Sequence, residues 1–282
     1  MRIDTHTHFG EPSRPKELLY RSELPDVYKT VAIPEGVTGT VVTESSEDIE
    51  DNQWTLDQAD KEPFIVGLIG HLDPFSDAFD RDLGRFASDP RFCGFRLHTN
   101  CCHRYTGNPH QGVDTISGRL LESLAKLVEK DLALDVHGGC EYFDYFAELY
   151  RRTDGLRIVI NHMGECRPLT TGPLRAEWAA GIRQIASLPN VYCKVSALVQ
   201  MAVNVPAPSD PTFYRPAIDV VWNAFGAERL IYASNWPQIE RVSDFASAHR
   251  IVADYFAEKG ADAEENFYWK NAKRMYKWGR DS

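Results

Sequence analysis

The sequence lacks the marks of several function classes. No apolar run approaches the roughly 20 residues that span a bilayer. No apolar segment precedes the first β-rich run, so a signal or transit peptide is not expected and a cytoplasmic protein is. The six cysteines, Cys93, Cys101, Cys102, Cys140, Cys166 and Cys193, include no Cys-x-x-Cys pair, which predicts reduced thiols. Cys101-Cys102-His103 has no second pair to complete a metal clip and reads as an ordinary loop. Blocks of Lys and Arg are missing, and 31 basic against 41 acidic residues give a net charge of -10, which disfavours nucleic acid. No Gly-x-Gly-x-x-Gly turn follows the first strand, and repeats and low-complexity tracts are absent. A small-molecule substrate is the partner these absences leave, with no membrane or nucleic acid, and self-association stays open.

What is present is an alternation of short β-rich runs with longer helical patterns. Strands are predicted at 2–8, 39–43, 64–72, 93–98, 133–137, 157–162, 191–196 and 230–233. Amphipathic helices are predicted at 120–129, 143–152, 178–187, 214–225 and 245–259. Eight strands separated mainly by helices predict an α/β fold, a (β/α)8 TIM barrel with its active site at the C-terminal strand ends. The length of 282 residues suits one such domain over 1–282, since these barrels run to about 250 residues around a single core. An open doubly wound sheet is the competing architecture. The proline- and charge-rich stretches 11–36 and 203–216 read as loops over the barrel mouth.

Polar residues recur where the strands end. His6 and His8 close the first run, and their i, i+2 spacing puts both side chains on one face of a strand. His71 follows on the third strand, Arg96 and His98 on the fourth, His137 on the fifth, His162 on the sixth, Lys194 and Ser196 on the seventh, and Asn235 just past the eighth. A single histidine at a strand end is usually structural. Five strands delivering histidine to the same rim predict a pocket rich in imidazole and positive charge.

The blocks Ile3-Asp4-Thr5-His6-Thr7-His8-Phe9, Gly94-Phe95-Arg96, Ile158-Val159-Ile160-Asn161-His162-Met163-Gly164, Val191-Tyr192-Cys193-Lys194-Val195-Ser196 and Leu230-Ile231-Tyr232-Ala233-Ser234-Asn235-Trp236-Pro237 follow one another in a familiar order. In them the chain resembles the amidohydrolase superfamily, and within it the amidohydrolase-related group that includes dicarboxylate and sugar-acid lactonases. The resemblance implies a hydrolase that opens a lactone, or a related ester or amide, by attack of water. It implies that His6, His8 and His162 polarise the carbonyl, directly or through a metal, and that a carboxylate after the eighth strand is the general base. Arg96 matches a position where a guanidinium holds a substrate carboxylate. By their strand-end positions His71, His98, His137 and Lys194 are expected to line the substrate site, with a buried Lys194 paired to a barrel carboxylate as the alternative for that residue.

At the eighth strand the group's Ser/Thr-Asp-Trp-Pro is replaced by Ser234-Asn235-Trp236-Pro237. An amide cannot serve as a carboxylate base, and it is a weaker metal ligand. The change fits a substitution made to trap substrate, a divergent branch with another base (His137 or His98 being candidates), or a silent barrel. His6, His8 and His137 offer three nitrogen donors that suit one Zn²⁺ with a position left for water. A metal-independent mechanism stands beside it. Three functions follow: a lactone hydrolase first, a metal-dependent decarboxylase of the same superfamily, or a ligand-binding barrel impaired at Asn235.

Overall fold

A computed structural model of the chain describes residues 1–13, 21, 23–98 and 116–279. Cys101, Cys102, His103 and His110 lie outside the described residues. The strands are β1 (Ile3–Thr7), β2 (Gly39–Thr43), β3 (Ile65–Gly70), β4 (Phe92–His98), β5 (Ala133–His137), β6 (Ile158–Ile160), β7 (Val191–Val195) and β8 (Leu230–Tyr232). They pair in parallel in the order β1 to β8. The ring closes where His8 N donates to Trp236 O at 2.9 Å and Asn235 N donates to His6 O at 2.9 Å. Position 235 is thereby stitched to the first strand. The fold is the (β/α)8 barrel the sequence pattern predicts.

Between the strands lie α1 (Pro25–Ala32), α2 (Glu50–Ala59), α3 (Phe79–Ala87), α4 (Gly118–Glu129), α5 (Phe143–Arg152), α6 (Ala176–Ala186), the single turn α7 (Leu198–Met201) and α8 (Pro211–Phe225). After β8 come α9 (Phe245–Ala257), α10 (Ala261–Glu265) and α11 (Asn271–Tyr276). None of these helices is long and apolar enough to cross a membrane. Inward-facing Ile3, Val41, Ile69, Cys93, Ala133, Val159, Tyr192 and Ile231 form a plug at the N-terminal end of the barrel. Ala272, Met275, Tyr276 and Trp278 cap it, which leaves the polar chemistry to the opposite end.

Two loop expectations need correction. Within 11–36, Pro25 occupies the first turn of α1, where a missing N–H costs nothing, and a 3-10 turn Ile33–Glu35 continues it. Its Tyr28 is fully buried and donates to Asp4 Oδ2 at 2.6 Å. Within 203–216 the loop ends at Asp210, which caps α8 by accepting from Thr212 N at 2.9 Å. Pro216 therefore stands inside a helix.

Candidate functional site

The strand ends carry their side chains to one mouth, with a buried polar layer beneath it. In β4, Gly94 has φ +149°, and a Cβ there would sit 1.8 Å from Ala133 O. Only glycine allows β4 to approach β5 so closely, and Arg96 enters the barrel two residues later. Lys194 on β7 and Asp135 on β5 are fully buried and paired at 2.6 Å. Asp135 also accepts from Asn161 Nδ2 at 2.9 Å and from the Tyr276 hydroxyl at 2.8 Å. Burial lowers the Lys194 pKa, and Asp135 opposes that shift.

His6 rests on this layer, fully buried. Arg96 Nη1 lies 3.2 Å from its Nε2 and Lys194 Nζ 3.3 Å from its Nδ1. Burial, then the Lys194 charge, hold its pKa well below 6.5, so the ring is neutral. The ring of His8 lies 4.9 Å from that of His6, and that of His162 lies 4.5 Å away. His8 Nδ1 faces two backbone carbonyls, Thr43 O at 3.1 Å and Glu44 O at 2.9 Å. Carbonyls only accept, so Nδ1 carries the proton and Nε2 the lone pair, and the Asn235 side chain lies within hydrogen-bonding reach of the ring. Burial, then Arg96, push the His8 pKa down to about 3. Asn235 in turn donates from Nδ2 to Gln200 Oε1 at 2.7 Å.

A buried carboxylate that no strand-end histidine pattern picks out, Glu44, organises the other side. It follows β2 directly, 5% exposed. Its Oε1 accepts from Arg96 Nε at 2.9 Å and from His98 Nε2 at 2.5 Å, and its Oε2 lies 3.1 Å from His71 Nδ1. Burial alone would raise the Glu44 pKa, but His98, Arg96 and the histidine hydrogen bonds hold it well below 4.5. From His98 the chain of contacts continues through Nδ1 to His137 Nδ1 at 3.2 Å, and from His137 Nε2 to Glu165 Oε1 at 3.1 Å. The two histidines named as substitute bases are thus tied to each other and to carboxylates.

His162 and Glu165 sit on an uncommon turn. His162, Met163, Gly164 and Glu165 all have φ between +50° and +59°. The left-handed region costs roughly 1–2 kcal/mol per non-glycine residue, so the turn must be held from outside. It is: Trp178 Nε1 donates to Met163 O at 2.7 Å, Met163 is fully buried, and Gly164 lies so close to Phe143 that a Cβ would meet its ring at 2.1 Å. His162 Nδ1 lies 2.8 Å from Ser196 Oγ. Burial, then His137 and Arg96, keep His162 neutral.

A cavity of about 250 Å³ opens above these groups. His8, Arg96, His98, His137 and His162 line it together with Glu165, Arg167, Gln200 and Asn235. His6, His71 and Lys194 stand behind the wall: His6 touches Arg96 and Lys194, and His71 touches Glu44. Glu44 obeys the strand-end rule but carries the wrong charge for a pattern built on imidazoles and cations. Glu165 lies three residues past His162, in a turn whose handedness leaves no sequence mark.

A parallel barrel whose imidazoles and guanidinium meet at the C-terminal strand ends defines a hydrolase of the amidohydrolase type. The chain belongs to the amidohydrolase family, whose model matches residues 3–278. It is 29% identical over 296 residues to an L-fucono-1,5-lactonase of Burkholderia ambifaria, covering 100% of this chain and 97% of that protein. A Burkholderia multivorans amidohydrolase crystallised with bound zinc shares the fold, with a TM-score of 0.85 at 21% identity over 99% of each chain. So does a Polaromonas dihydroxybenzoic acid decarboxylase crystallised with manganese, with a TM-score of 0.63 at 14% identity over 99% of this chain and 97% of that one.

The residues present here do not fit a resident divalent ion. Among the described residues no three His, Cys, Asp or Glu side chains are grouped to hold one. An ion on either nitrogen of His6 would have to displace Arg96 or Lys194. Both nitrogens of His137 are engaged, by His98 and Glu165. Asn235 supplies a neutral amide where a carboxylate would strengthen a metal site.

Proposed function

We propose that this chain opens the ring ester of a small lactone derived from a sugar acid, by attack of water and without a bound metal. The observation that carries the reading is the convergence of His8, Arg96 and His162 on one cavity in a chain alike over its whole length to an L-fucono-1,5-lactonase. The reading takes the tautomer of His162 in which Ser196 Oγ donates to Nδ1 and the ring presents Nε2–H to the carbonyl oxygen. The fixed Arg96 charge lies close by. Preorganised donors of this kind stabilise a developing oxyanion by several kcal/mol, because they need no reorganisation as charge appears. Arg96 spends Nε on Glu44 and Nη1 on His6, so it acts as a buried charge rather than a two-pronged clamp. Arg167, also on the cavity lining, is the guanidinium that would meet the carboxylate of the ring-opened product. Gln200 and Asn235 suit ring hydroxyls.

The decarboxylase reading requires a firmly held metal, which the side chains do not suit. A second reading, ligand binding without turnover, is favoured by Asn235 alone. A panel of sugar-acid lactones and carboxylated pyrones, followed with a pH indicator, separates the two. Acid release supports the hydrolase, and calorimetric binding without acid release supports the binding barrel.

A further inference from the structure

We infer that Glu165 is the general base that draws the proton from the attacking water, taking over the role a carboxylate at position 235 would play. The inference rests on the lactonase reading and assigns the one role that reading leaves empty.

Glu165 is the only acidic residue on the described cavity wall, facing the same space as Asn235 and His162. It is reached by the left-handed turn that also carries His162, so one strained element places a base and an oxyanion donor at one cavity. That turn is clamped by Trp178 and Phe143. His137 donates from Nε2 to Oε1 at 3.1 Å, which orients the carboxylate, and the side chain keeps 25% of its surface exposed, enough to meet water. Glu44, the other carboxylate of the cluster, is 5% exposed and spends both oxygens on Arg96, His98 and His71. It serves as a positioning residue.

In the step, Glu165 takes one proton from water while the water oxygen bonds to the lactone carbonyl carbon. The C=O π pair moves onto the carbonyl oxygen beside His162 and Arg96. Collapse of the tetrahedral intermediate breaks the ring C–O bond, and Glu165 returns its proton to the departing alkoxide. The product is the open hydroxy acid, which loses its acidic proton to solvent. One water is consumed and Glu165 is regenerated as a carboxylate.

The test compares the unaltered chain with Glu165→Gln, Glu165→Ala and the double variant Glu165→Gln/Asn235→Asp on L-fucono-1,5-lactone and the rest of the lactone panel. Glu165→Gln is expected to lower kcat by about 10²–10⁴-fold with KM changed by less than about threefold. Added formate should recover at least about tenfold in Glu165→Ala, and Asn235→Asp should recover at least about tenfold in the Glu165→Gln background. A Glu165→Gln chain that keeps its kcat, or loses only in KM, overturns the assignment. So does a loss that neither formate nor the second carboxylate repairs, which would mark Glu165 as structural. Lack of any lactone turnover by the unaltered chain overturns the functional reading and this assignment together.

Discussion

Asn235 donates from its side-chain amide to Gln200 Oε1 at 2.7 Å, and the same side chain lies within hydrogen-bonding reach of the neutral, buried His8. A carboxylate at 235 would instead stabilise a proton on His8 Nε2, since Nδ1 is already committed to the carbonyls of Thr43 and Glu44. Burial and Arg96 push the His8 pKa down to about 3, and Asn235→Asp should raise it by at least about one unit relative to the unaltered chain, read by NMR of the imidazole. An unmoved His8 would contradict the contact.

Stability should fall on mild acidification. His8 and His98 are lowered to about 3 and about 4, in each case by burial first and then by Arg96, and His6 and His162 are shifted in the same direction. The unfolded chain binds these protons near pH 6.5, ahead of the folded one. The four contributions are complete above pH 6.5 and are lost as the pH falls toward 4 and below. His71 runs the other way: burial is outweighed by Glu44 and its pKa is raised, so its contribution fades as the pH rises. Urea unfolding at pH 7.5, 6 and 5 should give a falling free energy, at about 1.4 kcal/mol per pH unit for each net proton. His8→Gln should flatten that slope. A free energy that holds or rises over the same interval would contradict the neutral, buried state of these rings.

Lys194 and Asp135 form a fully buried pair whose carboxylate has two further donors, Asn161 and Tyr276. Lys194→Met leaves that carboxylate without its cation and should cost about 3–5 kcal/mol in denaturant unfolding. A cost below about 1 kcal/mol would mean that Asp135 needs no charge partner.

Much of the barrel is legible in the chain because its strands are buried on both faces and punctuated by histidine. All eight strand runs were there to be read, and Pro25 and Asp210 show why two loop boundaries were not. A proline at the first turn of a helix and one at a loop bend look alike in the chain, and of the two helices only α8 has a side-chain cap, Asp210. Helix α2 escapes a search for apolar periodicity because its inner face is polar over its first half, with only Leu56 and Ala59 apolar after it. Asp51, Asn52 and Thr55 are buried there, and Asn52 accepts from His71 N at 2.9 Å and donates to His71 O at 2.8 Å. The candidate site is legible where it is built of imidazoles. Its carboxylates are harder to read, because what distinguishes Glu44 and Glu165 from surface acids is burial beside Arg96 and a left-handed turn, and both arise only on folding.

Lactone turnover tests the central claim most directly. Protein dialysed against EDTA, verified free of zinc by elemental analysis and mixed with sugar-acid lactones, should release acid at the rate of undialysed protein. Acid release that disappears with the metal and returns with added zinc, or no release from any lactone in either state, would contradict it.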